Sequence, residues 1–361
     1  MSLIPGRVRE AAERLTAFPA YLYDLAALDE HAAAVRQAMG ETELYYAVKA
    51  NPDPELLRVL RPHVDGFEVS SGGEFAHVRG LFPDARLALG GPGKTDEELR
   101  LAAGAHRVHV ESPAELRRLL ELGRPAEVLL RLNLDLEVAG AALAMSGPFG
   151  MDADAVAECR PLFAGQVRFR GVHAHLASGL EAPQLLGLAA ELAGQHPEEV
   201  NLGGGMAVDY AAPDSRFDWA AYGAGLAALR RPGQTLRVEP GRALTAYCGY
   251  YVTRVLDVKR TRGELYAILQ GGTHHLRTPV TKGHDQPFTV LPGRDRPDGP
   301  EEPVTLVGQL CTPKDVFARR VPASVRTGDV VVFAMAGAYA WNISHHDFLM
   351  HPWPAFHHLF G

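Results

Sequence analysis

The sequence predicts an α/β fold, a (β/α)8 TIM barrel followed by a C-terminal all-β domain. Between Glu43 and Pro240, short β-rich runs alternate with longer segments of helical spacing. There are eight such runs, and parallel neighbours need right-handed helical crossovers that close naturally at that number. After Arg242 the alternation stops, and strand-like runs follow one another with no helical pattern between them. A length of 361 residues, about two domains at roughly 150 residues each, accommodates both parts.

In chain order the barrel strands are expected at 44–50, 66–71, 86–91, 107–110, 127–134, 167–176, 198–202 and 235–239. Amphipathic stretches at 54–63, 73–82, 96–103, 113–122, 183–193 and 218–231 supply helices. Two carry start signals: Thr95-Asp-Glu-Glu98 and Ser112-Pro-Ala-Glu115 read as capping boxes, the second with proline at the first helical position. The later strands are expected at 247–259, 264–269, 288–291, 304–310, 316–320 and 330–334, with a polar surface loop at 292–303. The barrel is expected over residues 24–242, with 1–23 returning to join 243–361 in the β domain.

Composition removes several function classes. Lys+Arg 36 against Asp+Glu 43 leaves a net charge of −7, which gives no general attraction for nucleic acid or anionic lipid. The longest apolar run, at 330–341, is shorter than the 18 or more residues a membrane span needs. Glu10 and Glu13 interrupt the N-terminus where a secretory peptide needs an unbroken apolar stretch. Cys159, Cys248 and Cys311 are too few and too scattered for a disulfide framework or a zinc site. The expectation is a cytoplasmic protein with a small-molecule substrate, no nucleic-acid partner and no membrane contact.

In a barrel, functional groups collect at the C-terminal ends of the strands. Lys49 ends strand one behind Tyr45-Tyr46-Ala47-Val48, where it is either a Schiff-base lysine or a solvated loop residue. Glu68 and Ser71 end strand two, with loop hydrogen bonding as the ordinary role. Strand six ends in His173-Ala-His175-Leu-Ala-Ser178, whose two histidines share a face as a metal pair, a ring-stacking partner or satisfied core residues. Strand seven ends in Asn201-Leu-Gly203-Gly204-Gly205, an anion cradle or a plain tight turn, and strand eight in Glu239-Pro-Gly241-Arg242. Barrels that bind phosphate often use the loops after strands seven and eight. Together a lysine, a stacking histidine, a glycine loop and a carboxylate are what pyridoxal 5'-phosphate requires: an amine for the aldehyde, a cradle for the phosphate and an anion for the pyridine nitrogen.

The ordered motifs Tyr46-Ala-Val-Lys49-Ala-Asn-Pro, Phe67-Glu-Val-Ser-Ser-Gly-Gly-Glu74, His173-Ala-His175-Leu-Ala-Ser178, Asn201-Leu-Gly-Gly-Gly205, Glu239-Pro-Gly-Arg242, Gly308-Gln-Leu-Cys311 through Asp315, and Gly337-Ala-Tyr339 run over almost the whole chain. In these the sequence resembles the pyridoxal-phosphate decarboxylases of the alanine-racemase-like fold, which include the ornithine and diaminopimelate decarboxylases. The resemblance implies that Lys49 holds the cofactor's aldehyde, His175 stacks on its ring and Glu239 contacts the pyridine nitrogen. It implies phosphate contacts from Ser178, Gly203, Gly204, Gly205, Gly241, Arg242 and Tyr339, and adds Glu68 to the cofactor site. It also implies an obligate homodimer with shared active sites, in which Cys311 reaches the partner's barrel as a candidate acid for Cα. The ordinary role of such a cysteine is a buried small apolar residue.

Where family members read a distal amine, an acidic residue follows the cysteine; here Thr312-Pro313 follows Cys311. A buried cationic tail would lack its partner at a cost of roughly 3–5 kcal/mol, which disfavours ornithine, lysine and diaminopimelate as substrates. The segments Gly272-Thr-His274-His275-Leu-Arg277 and Trp341-Asn-Ile-Ser-His345-His-Asp-Phe348 resemble instead the subgroup of siderophore biosynthesis, which decarboxylates an amino-acid unit joined to citrate or a related polycarboxylate. His274, His275, Arg277 and His345, with Thr312, then become substrate-binding candidates that offer donors to carboxylates. Adjacent histidines rarely aim both rings at one ion, and no helix carries the i, i+4 histidine pair of the metalloproteases, so no metal is expected. The alternative is a decarboxylase of a free amino acid of the diaminopimelate or ornithine type, and behind it an amino-acid racemase; Glu239 argues against the racemase, because a carboxylate at the pyridine nitrogen favours the delocalised carbanion that decarboxylation exploits. A non-catalytic pyridoxal-phosphate carrier is the last reading, and such proteins consist of the barrel alone.

Overall fold

The computed structural model describes residues 3–134, 143–144, 147–193, 198–277, 285–293 and 300–361. The chain forms two compact units, one of Asp29–Ala207 with Phe217–Leu244, the other of Met1–Leu28, Val208–Arg216 and Thr245–Gly361. The segment Val208–Arg216 therefore groups with the β unit although the expected boundaries placed it in the barrel; Val208 and Tyr210 pack on that unit's apolar cluster.

In the first unit, strands Glu43–Ala47, Gly66–Val69, Leu87–Leu89, Arg107–Val110, Ala126–Leu132, Val167–Ala174, Glu199–Asn201 and Thr235–Val238 close into a parallel barrel. Each pairs with the next in sequence, and the eighth pairs with the first. The strands are buried almost throughout, as near-continuous runs such as Leu-Tyr-Tyr-Ala and Val-Leu-Leu require when both faces are covered. All eight expected strands are present. The first ends sooner than expected, because Val48–Ala50 turns into a short 3-10 helix that carries Lys49 out of the sheet.

Helices between the strands start where the side chains can satisfy free backbone N–H groups. Thr95 and Glu98 form a complete capping box. The second expected box closes only by half: Ser112 accepts from Glu115 N–H, while the Glu115 carboxylate turns to the buried Lys94 ammonium at 2.8 Å. Helices Leu25–Met39 and Ala153–Cys159 are additional to those expected. The N-terminal end of the barrel is closed by charge. Arg237, wholly buried, reaches Glu43 at 3.0 Å, pairs with Glu199 and lies over the Tyr45 ring at 4.5 Å; Arg107 donates to Glu199 at 2.7 Å.

The second unit is an eight-stranded, mostly antiparallel sheet. Its strands Gly249–Thr261, Glu264–Leu269, Phe288–Leu291, Glu302–Val307, Val316–Ala323 and Val330–Phe333 answer the six expected ones. Ala20–Asp24 joins them, antiparallel to the long strand at Gly249–Thr261 and parallel to a further strand at Ala355–Leu359. Its core includes Leu22, Tyr250, Val252 and Val332, covered by the helix Gly6–Arg14 through Val8 and Ala12. The expected loop at 292–303 lies partly outside the described residues, in 294–299.

Candidate active site

The C-terminal ends of the barrel strands bring together the lysine, carboxylates, histidines and glycines. Tyr46 Oη donates to Asn51 O at 3.0 Å, which braces the turn that presents Lys49. The Lys49 ammonium pairs with Glu68, whose other carboxylate oxygen accepts from Ser70 Oγ at 2.7 Å. Lys49 is thus neither a freely solvated loop cation nor a buried one: it sits at the mouth, held by a nearly buried carboxylate. Ser71 takes the ordinary role, capping the helix Gly72–Leu81 by accepting from Glu74 N–H.

The glycine turn after strand seven is tight by construction. Gly203 and Gly205 have φ of +63° and +101°, which L side chains rarely adopt, and a Cβ on Gly204 would stand 2.6 Å from Glu239 O. Gly204 N–H donates to His175 Nδ1 at 3.2 Å, and the same ring lies beside the position a Gly204 Cβ would take. An Nδ1 that accepts leaves the proton on Nε2. His175 keeps some exposed edge, yet its enclosure, followed by Lys49 and Arg131, pushes its pKa down to about 3 and keeps it neutral. Gly241 packs against Ala47 and Ala50, on either side of Lys49, and Arg242 opens the short helix Arg242–Thr245. Ser178 lies in a two-residue strand paired with Leu143–Ala144, and the next residue, Gly179, bonds to Gly205 O at 2.8 Å.

Glu239 is buried at the end of strand eight. Asn201 Nδ2 donates to its Oε1 at 2.7 Å, and Asn201 Oδ1 accepts from Gly203 N–H at 2.9 Å, so one amide joins the carboxylate to the glycine turn. His173 Nε2 lies 3.3 Å from Glu239 Oε2, and His109 Nε2 3.7 Å from Oε1. Burial pushes both histidines well below the ordinary range. Among the described residues these three form the one group with metal-ligand proximity. The two rings are stacked at 4.1 Å with planes 11° apart; in-plane lone pairs on parallel, offset planes do not converge on one ion. Sequence alone marks neither Asn201 nor His109: Asn201 only precedes the glycine run of Asn201-Leu-Gly-Gly-Gly205, and His109 lies in an apolar strand context that carries no signal.

The β unit holds the remaining candidates. Asp315, buried, accepts from Thr273 N–H at 2.7 Å and Leu310 N–H at 2.8 Å, tying the His274 turn to the loop of Cys311. Cys311 is exposed, against the ordinary role for cysteine, whereas Cys159 and Cys248 are buried. Thr312 is half-buried beside it, and Tyr339 is half-buried with φ of +50°. Arg277 and His345 are exposed. His275 drops out of the substrate-binding set: Nε2 faces Pro352 O at 3.0 Å and Nδ1 faces Tyr251 Oη at 3.4 Å, so the fold uses both ring nitrogens. His274 is buried with neither ring nitrogen hydrogen-bonded, beside His351 at 5.2 Å and His345 at 6.4 Å between ring centroids. Burial and those neighbours push it down to about 4.

An amine paired at the mouth, a buried carboxylate behind it, a neutral imidazole pinned by a glycine turn, and that turn's place after strand seven fit pyridoxal phosphate by the chemistry of the donor set. Residues 25–246 match the pyridoxal binding domain of the pyridoxal-dependent decarboxylases, and the chain belongs to that family. It is a pyridoxal-phosphate-dependent decarboxylase. The chain is 40% identical to 2-[(L-alanin-3-ylcarbamoyl)methyl]-2-hydroxybutanedioate decarboxylase of Staphylococcus aureus, over 94% of this chain and 93% of that protein. It is 32% identical to diaminopimelate decarboxylase of Bacteroides thetaiotaomicron, over 89% and 90%. Among solved structures, diaminopimelate decarboxylase of Helicobacter pylori, complexed with L-lysine, shares the fold with a TM-score of 0.87 at 21% identity, over 98% of this chain and 94% of the other. No helix among the described residues is long and apolar enough to cross a membrane.

Proposed function

We propose that this decarboxylase acts on an amino-acid unit joined to a carboxylate-rich acid, the citryl type of conjugate used in siderophore assembly. The observation that carries the proposal is Thr312-Pro313 after the exposed Cys311, where an amine-reading enzyme needs an acid. Arg277 and His345 offer donors instead of acceptors, as does His274, whose buried ring lacks hydrogen-bond partners. The relative from Staphylococcus aureus supports it, since its name describes an alanine unit linked through an amide to a hydroxybutanedioate. The second reading, a free diamino acid such as diaminopimelate, is favoured by the similarity to diaminopimelate decarboxylases at 32% identity.

Lys49 would hold the cofactor's aldehyde, Glu239 its pyridine nitrogen and His175 its ring face, while Ser178, Gly203 to Gly205, Gly241, Arg242 and Tyr339 would hold the phosphate. When bound, pyridoxal phosphate supplies the sink for the electron pair left on Cα as CO2 departs. Glu68, fixed by Ser70, pairs with Lys49 and orients its Nζ. His175 stays uncharged, so it adds no positive charge that would hold the departing carboxylate. Lys49 Nζ or Cys311 Sγ then returns a proton to Cα. We further place the enzyme in the cytoplasm as a homodimer with shared active sites, Cys311 serving the partner's barrel; sedimentation at a single chain's mass would remove that arrangement.

A CO2-release screen over free ornithine, lysine and diaminopimelate and over citryl and 2-oxoglutaryl conjugates of diamino acids tests the substrate class. Turnover is expected with a conjugate and little with the free acids. Preference for a free diamino acid would overturn the conjugate reading and leave the decarboxylase intact.

A further inference from the structure

Glu239 is enclosed by groups from three other strands. Asn201, from strand seven, binds its Oε1; His173, from strand six, faces its Oε2; His109, from strand four, stacks under His173 and approaches both Asn201 Nδ2, at 3.3 Å, and Oε1. All four side chains are buried, His109 to 1% exposure and Asn201 to none. Strand four is itself clamped: the buried Lys94 ammonium donates to His109 O at 2.7 Å, Gly91 O at 2.8 Å and Glu115 Oε1 at 2.8 Å. Further out, Lys49, Lys94, Arg131 and Arg237 add positive charge that disfavours a proton on either imidazole.

A neutral imidazole carries one N–H and one lone pair. His173 has neither ring nitrogen hydrogen-bonded, and a buried donor without an acceptor is costly. Its Nε2 stands 3.3 Å from Glu239 Oε2, so a proton there, with a small ring rotation, meets a carboxylate. Asn201 then fixes one oxygen and His173 the other, and the stacked His109 blocks the ring from turning away. A carboxylate held at both oxygens by neutral donors has one orientation.

We propose that Asn201 and the stacked His109–His173 pair are positioning residues that hold Glu239 in a single orientation, and so set how tightly the enzyme grips the pyridine nitrogen of its cofactor. This rests on the assignment of Glu239 to that nitrogen. The pair occupies the place where a metal would otherwise be sought, and its use is to orient an anion.

The test titrates apoenzyme with pyridoxal phosphate and reads both the dissociation constant and the absorption maximum of the bound cofactor. It compares wild type, His173→Phe, His173→Asn, Glu239→Gln and the double variant His173→Phe/Glu239→Gln. His173→Phe is expected to weaken binding roughly tenfold, the scale of one hydrogen bond to a charged group, and to shift the absorption. His173→Asn, which restores a donor, should recover most of both. In the Glu239→Gln background, His173→Phe should add little, because its effect runs through the carboxylate. Equal loss from His173→Phe in both backgrounds, or no loss in either, overturns the proposal. Should His173→Phe not fold, Asn201→Ser carries the same comparison. If Glu239→Gln alone changes neither affinity nor spectrum, the assignment of Glu239 fails, and this proposal with it.

Discussion

At the scale of single residues, burial keeps several histidines in one charge state. His175 is pushed down to about 3, His275 to about 3 and His274 to about 4, burial being the first cause in each. An unfolded chain holds its histidines near 6.5 and binds protons there that the native state refuses. The stabilisation from keeping them neutral is therefore complete above about pH 6.5 and is lost as the pH falls from 6.5 toward 3–4. Urea midpoints should drop steadily between pH 7 and pH 5; a constant midpoint would show these histidines to be solvated. The placement of Lys49 and Glu239 was legible in the sequence, because each closes a buried β-rich run at a barrel strand end. What a residue does was not legible where the role belongs to a neighbour. Nothing in Arg107-Val-His109-Val says that His109 stacks on His173, because that contact exists only once strands four to six lie side by side. His275 is the opposite case: its ring nitrogens look available in sequence, and in the fold Pro352 O faces one and the Tyr251 hydroxyl the other.

At the scale of elements, the barrel separates two kinds of charge. The C-terminal ends of the strands carry Lys49, Glu68, His175 and Glu239, while the N-terminal ends carry the Glu43–Arg237–Glu199–Arg107 net. Removing one member of such a net strands its partners in the interior. Arg237→Met should lower unfolding stability by about 3–5 kcal/mol and change the affinity for pyridoxal phosphate far less. A loss of cofactor affinity equal to the loss of stability would mean that the two ends are not independent. The eight barrel strands were legible because each is a buried run flanked by helix signals. The strands Ala20–Asp24 and Ala355–Leu359 were not, since they are short and take their register from each other and from Gly249–Thr261, far away in sequence.

At the scale of the whole molecule, each unit has its own logic. The barrel supplies a lysine, a carboxylate and a glycine turn fixed to rigid strand ends, so little reorganisation is asked of them when a cofactor is held. The β unit carries Cys311, Thr312, Arg277 and the histidines around His274, the groups to which we assign the choice of substrate class, with Asp315 tying two of their loops together. The family resemblance covered both units, whereas the preference for a conjugate over a free diamino acid rests on short stretches, the missing acid after Cys311 and the segments 272–277 and 341–348. Lys49 is the point on which the catalytic reading rests. The most direct measurement is borohydride reduction of the cofactor-loaded enzyme followed by peptide mass analysis, with CO2 release measured on the same preparations. The expected result is a pyridoxyl label on Lys49 in the wild type, and neither label nor CO2 release in Lys49→Ala. A label on another residue, or undiminished CO2 release from Lys49→Ala, would contradict it.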